Sequence, residues 1–88
     1  MTEDDSPLKF PCDFPIKIIG KESADFDQLV IELLRPHVPD LDQDRVRMRS
    51  SRNARYLSVT VTIWATSRAQ LDSIYQDLSD HERIVMAL

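Results

Sequence analysis

Residues 51–65 read SRNARYLSVTVTIWA, and from Tyr56 onward the stretch alternates with a period of two. Leu57, Val59, Val61, Ile63 and Ala65 fall on one face, and Tyr56, Ser58, Thr60, Thr62 and Trp64 on the other. Successive side chains of a strand point to opposite sides, and β-branched and aromatic residues suit a pleated, half-buried surface. The stretch is therefore predicted to be a long strand with its aliphatic face in the core.

Upstream, Val46 and Met48 alternate with Arg45, Arg47 and Arg49, which predicts a second strand joined to the long one by the polar turn SSRNAR at 50–55. Earlier still, FPIKII at 14–19 places Phe14, Ile16 and Ile18 on one face and Lys17 on the other. Gly20, the single glycine, is expected to close that first strand. Ser23 is then expected to cap a helix whose first turn carries Asp25 and Asp27 near its positive end. Phe26, Leu29, Val30, Leu33 and Leu34 recur at helical spacing until Pro36, which lacks a backbone donor. HVPDLDQD at 37–44 reads as a loop.

Downstream, Ser67 with Gln70 three positions on has the form of a capping box, so a helix is predicted to start there. Leu71, Ile74, Tyr75 and Leu78 give it one apolar side. Residues 83–88 include β-branched Ile84 and Val85 and read as a last strand. The order strand, helix, strand, strand, helix, strand predicts an α+β fold, a ferredoxin-like βαββαβ two-layer sandwich with a four-stranded antiparallel sheet and two helices on one face. Right-handed crossovers put the first and third strands in the centre and the second and fourth at the edges.

The chain has 88 residues, enough for one core. Residues 1–9 are polar and acidic without periodicity and are expected to form a flexible tail, leaving 10–88 as a single domain. One cysteine, Cys12, cannot make an internal disulfide, and the acidic opening lacks the pattern of a secretory signal, so a cytoplasmic location is expected. No apolar run reaches the roughly 20 residues that span a bilayer, and no membrane partner is expected. Net charge is −4, which argues against a general nucleic-acid binder. The charge is polarised, however: residues 45–55 hold five arginines and no acid, while residues 1–44 hold eleven acids.

The FPxxF pattern from Phe10 to Phe14, the strand end from Lys17 to Gly20, the stretch Ser58, Val59 and Thr60, Ala65, the helix start from Gln70 to Tyr75 and the terminal IVMAL together resemble the YbeD-like family of small bacterial proteins. The resemblance covers about 10–88. It implies a ferredoxin-like fold similar to ACT-type regulatory domains, with no established activity and no catalytic residues to carry over. It also implies a genomic context near lipoate-attachment genes. Many relatives have a glycine in the turn near Asn53; this chain has none.

If the helices cover one side of the sheet, Lys17, Arg45, Arg47, Arg49, Tyr56 and Trp64 project from the other as a basic face with two aromatics. RNA-recognition modules of this connectivity stack bases on such rings, but the first strand offers Pro15, Lys17 and Ile19 there, with no ring. The competing reading is an ordinary outer sheet face, with arginines on an edge strand discouraging aggregation. A second candidate is the strand-to-helix junction at Gly20, Lys21 and Ser23, whose backbone donors could meet an anionic effector. ACT-type domains bind effectors near the equivalent junction, although one glycine is all that a helix entry needs.

Asp40, Asp42 and Asp44 space like the start of a calcium loop, but Arg45 stands where the turn glycine belongs and Ser51 where the glutamate belongs. Cys12, His37 and His81 lack metal-ligand spacing, and no nucleophile, base and orienting group can be assembled. No catalytic residue, metal or cofactor is assigned. The expected function is that of a small non-enzymatic regulatory or interaction module that binds a partner protein or small effector in the ACT-like manner. Single-stranded RNA binding on the open sheet face is the alternative. Pairing with a second copy through a sheet edge or face is a further expectation.

Overall fold

The computed structural model describes residues 9–50 and 55–88. Residues 1–8 of the tail expected at 1–9, and the turn at Asn53, lie outside the described residues. The elements in chain order are β1 (Cys12–Lys21), α1 (Phe26–Leu34), a 3-10 turn (Gln43–Arg45), β2 (Val46–Ser50), β3 (Tyr56–Ala65), α2 (Arg68–Asp80) and β4 (Ile84–Ala87). The sheet is antiparallel with order β2-β3-β1-β4, so β1 and β3 are central. This is the ferredoxin-like βαββαβ arrangement. Among the described residues, no helix is long and apolar enough to cross a membrane.

β1 and β3 pair along their whole lengths, from Cys12 opposite Ala65 to Lys21 opposite Tyr56. Because the side-chain period is two, that register sets one face for both strands. Ile16, Ile18, Leu57, Val59, Val61, Ile63 and Ala65 all turn inward and are buried. α1 adds Phe26, Val30 and Leu34, and α2 adds Leu71, Ile74 and Leu78, which closes one core. Ile31 is buried too, although the stripe of the first helix does not include it.

Several local features differ from the sequence reading. β1 does not close at Gly20 but runs on to Lys21. Gly20 is buried, its φ is not positive, and a Cβ there would collide with the Phe26 ring and lie 2.7 Å from the Arg83 carbonyl oxygen. Glycine is therefore required by close packing rather than by a turn.

Ser23 does not cap α1. Asp25 takes the N-cap position, without a side-chain bond to the helix, because both side chains are drawn instead to Arg83. Arg45 lies in the 3-10 turn before β2 rather than in the strand. Met48 faces the helix side but is 53% exposed, since the helices pack over β3, and α2 over β4, leaving the β2 edge beyond their cover.

α2 starts as expected after Ser67, whose Oγ accepts from the Gln70 N–H at 3.0 Å. The return bond goes one residue further back than a capping box predicts. Gln70 Oε1 accepts from the Thr66 N–H at 2.8 Å, and its Nε2 donates to the His37 carbonyl at 3.1 Å. One glutamine thus closes the helix end and ties it to the loop after α1. His37 also meets Asp77 of α2 at 2.6 Å.

Candidate functional site

The sheet face opposite the helices is built by the outward residues of β1, β2 and β3. Their register places Arg47, Thr60 and Lys17 in one row across the sheet, and Arg49, Ser58 and Ile19 in the next. Strands lie about 4.8 Å apart, so Arg47 and Lys17 flank Thr60 with their Cα atoms about 10 Å from each other. Tyr56, 41% exposed, follows Ser58 on the same face and lines a shallow hollow with Lys17, Arg47 and Arg49. Among the described residues, no carboxylate pairs with Lys17, Arg47 or Arg49. The hollow therefore presents three positive charges over a floor of hydroxyl groups in a chain of net charge −4.

The other two members of the expected face lie apart from this group. Trp64 is eight residues from Tyr56 along β3, about 26 Å away. Arg45 reaches over β3 to donate to Asp13 of β1 at 2.9 Å, beside the Asp13–Trp64 pair. Its charge is compensated there. The structure thus brings together Lys17, Arg47, Arg49 and Tyr56, and places Arg45 and Trp64 at the far end of the sheet. No periodicity marks that division, because the Arg45–Asp13 contact joins residues 32 positions apart.

At the second candidate, Gly20 is sealed under Phe26, while Lys21 remains exposed. The Glu22 N–H is already bonded to the Arg55 carbonyl at 2.9 Å. Ser23 Oγ accepts from Arg83 Nη2 at 2.6 Å and donates to Asp25 Oδ1 at 3.2 Å, and Arg83 Nη2 also donates to Asp25 Oδ1 at 2.8 Å. The bond from Arg83, then that from Ser23, holds the Asp25 carboxyl below the usual aspartate range, and Asp25 in turn raises Arg83. A guanidinium from the residue just before β4 therefore occupies the junction. Sequence spacing offers no signal for it, since Arg83 and Asp25 are 58 positions apart.

Asp42 and His81 have structural partners. Asp42 Oδ1 accepts from the Asp44 N–H at 3.1 Å and caps the 3-10 turn. His81 Nδ1 accepts from the Arg83 N–H at 3.2 Å where α2 ends. Cys12 is half-buried against the core. Burial raises the Tyr75 hydroxyl above its ordinary pKa. Among the described residues, no group of three or more histidines, cysteines and carboxylates is placed to hold a metal ion.

This architecture matches known proteins over nearly its full length. Residues 5–88 match the family described as "Protein of unknown function (DUF493)". A UPF0250 protein of Nitrosomonas europaea is 52% identical over 88 residues, covering all of both chains. Another, of Azotobacter vinelandii, is 46% identical over 82 residues, or 92% of this chain and 89% of its own. The solution structure of protein HP0495 from H. pylori shares the fold, with a TM-score of 0.72 at 20% identity over 98% of this chain and 91% of that one. The chain therefore belongs to the DUF493/UPF0250 family of YbeD-like small bacterial proteins.

Proposed function

We propose that this protein is a non-enzymatic interaction module whose open sheet face receives an acidic segment of a partner protein. The observation that carries this reading is the grouping of Lys17, Arg47 and Arg49 around Ser58 and Thr60 on a face that no helix covers. Three cations with no carboxylate partner among the described residues, set over a hydroxyl floor, can receive successive carboxylates by charge-assisted hydrogen bonds. Tyr56 at the rim adds an apolar surface with a polar tip, a type favoured at interfaces.

RNA stacking is less well served. Tyr56 and Trp64 stand at opposite ends of β3, and β1 offers no ring between them on that face, since its one aromatic, Phe14, packs against the core. A nucleic acid spanning the face would have to touch Trp64, whereas an acidic peptide on the Arg47–Thr60–Lys17 row would lie about 13 Å from it.

The test is a titration with a blocked Glu-rich peptide and, separately, a mixed single-stranded RNA oligomer, followed by amide shifts and Trp64 fluorescence. Peptide binding that shifts Lys17, Arg47, Arg49 and Ser58 without changing Trp64 fluorescence is expected. A combined Lys17→Glu, Arg47→Glu, Arg49→Glu variant should bind at least about tenfold more weakly. RNA that binds more tightly than the peptide at physiological salt and quenches Trp64 would transfer the face to nucleic acid. Shifts confined to Lys21 and Ser23 with small carboxylates would transfer the function to an effector site.

A further inference from the structure

The two sides of β3 are not paired over the same length. On one side β1 follows it as far as Ala65, but on the other the pairing with β2 stops at Val61. Lys17 exchanges backbone hydrogen bonds with Leu88, so its N–H and C=O point toward β4. By the alternation of an antiparallel ladder, Phe14 and Cys12 then bond β3 through Ile63 and Ala65. The N–H and C=O of Trp64 therefore point to the side of β3 beyond β2, where the 3-10 turn Gln43–Arg45 packs against the strand before β2 begins.

A cleft of about 530 Å³ opens at that place, between β3 and the loop after α1. Val38 and Leu41 lie on its apolar side, and Trp64, 53% exposed, lies on its outer side. Asp40 and Asp42 stand on the rim. The nearby cation Arg45 is compensated by Asp13, so the rim is net acidic.

From this geometry we infer that the cleft is a docking site for a short extended segment of a partner protein in which lysine or arginine alternates with aliphatic residues. The segment adds to the edge of β3 at Trp64, which no other described strand pairs, and exchanges backbone hydrogen bonds with Trp64. Its aliphatic side chains face Val38 and Leu41. Its cationic side chains lie over the Trp64 ring, near Asp40 and Asp42, as ammonium and guanidinium groups do on aromatic faces. β2 itself illustrates the fit, since Val46 and Met48 face the helix side while Arg47 and Arg49 face outward along the same edge of β3. The inference uses a different surface from the cationic hollow and does not rest on it.

The test uses the full chain and a blocked peptide, acetyl-Thr-Lys-Val-Lys-Val-Lys-Thr-amide. Two analogues carry N-methyl groups on one or the other alternate set of residues, and a third has glutamate for lysine. The parent peptide should shift the Trp64 and Thr62 amides and slow exchange of the Trp64 amide at least about fivefold. One N-methyl analogue and the glutamate analogue should each bind about tenfold more weakly, the equivalent of about 1.4 kcal/mol. Trp64→Ala, which removes an exposed ring, should retain the fold and lose a similar factor. Equal binding by both N-methyl analogues would overturn the strand-addition geometry. Equal binding by the glutamate analogue, or shifts confined to the Arg47–Thr60–Lys17 row, would overturn the assignment of the cleft. Absence of any shift at millimolar peptide would do the same.

Discussion

Replacing Gly20 by alanine sets two physical effects against each other. Glycine inside a strand costs about 0.5 to 1 kcal/mol relative to alanine through chain entropy, so local propensity predicts a stabilised variant. The structure predicts the reverse. The added methyl group would collide with the Phe26 ring and stand 2.7 Å from the Arg83 carbonyl oxygen. Phe26 is fully buried and the carbonyl belongs to backbone, so neither obstacle can swing aside. Overpacking of this kind costs about 1 to 3 kcal/mol, and two fixed obstacles argue for the upper end.

A domain of this size is stable by about 4 to 13 kcal/mol, and a loss near 3 kcal/mol lowers the melting temperature by about 12 to 24 °C. In urea, with a slope of about 1 kcal/mol per molar, the midpoint should fall by about 3 M. The cause is checked in a Phe26→Leu background, where the cost of Gly20→Ala should shrink by at least about 1 kcal/mol as the ring is removed. A melting temperature that holds or rises in Gly20→Ala would refute the close-packing account. An undiminished cost in the Phe26→Leu background would show that the ring is not the obstacle.

The folded-state pKa of Asp25 is depressed, so its contribution to stability is present above the ordinary aspartate value near about pH 4 and is lost as pH falls through the lower folded value. Thermal melts at pH 6 and at strongly acid pH should therefore lose part of their difference in Asp25→Asn; an unaltered pH dependence would remove Asp25 from the acid response. Gln70→Ala breaks the bonds to the Thr66 N–H and the His37 carbonyl, and about 1 to 2 kcal/mol should be lost in urea unfolding. Because Ser67→Ala acts on the same helix end, the two losses should not add. In the core, Leu78→Ala should cost about 3 kcal/mol, and Leu29→Ala, only partly buried, visibly less. Equal losses by calorimetry would contradict the burial pattern.

The sites were less legible than the fold. That Lys17, Arg47 and Arg49 share a face follows from strand alternation alone. Their grouping with Tyr56, and the separation of Trp64 and Arg45, required the register of β2 on β3. The cleft beside Trp64 was not legible either, because it results from β2 being shorter than β3 and from the path of the intervening loop. At the junction, Ser23 and Asp25 have the composition of a helix cap. A cap is a short-range preference worth about 1 kcal/mol, and a charged partner brought near by folding outweighed it.

Element order, the inward face of β3 and the central position of β1 and β3 are legible in the chain, because side-chain period and crossover handedness are local or topological constraints. The family is legible there too, through residues spread along its length. The reason for Gly20, the partner of Arg83 and the point at which β2 leaves β3 come from the packed fold. Each depends on atoms far apart in sequence, Gly20 against Phe26 and Arg83, Asp25 against Arg83, Trp64 against the loop after α1. Only the packed fold sets those distances, and no periodicity encodes them.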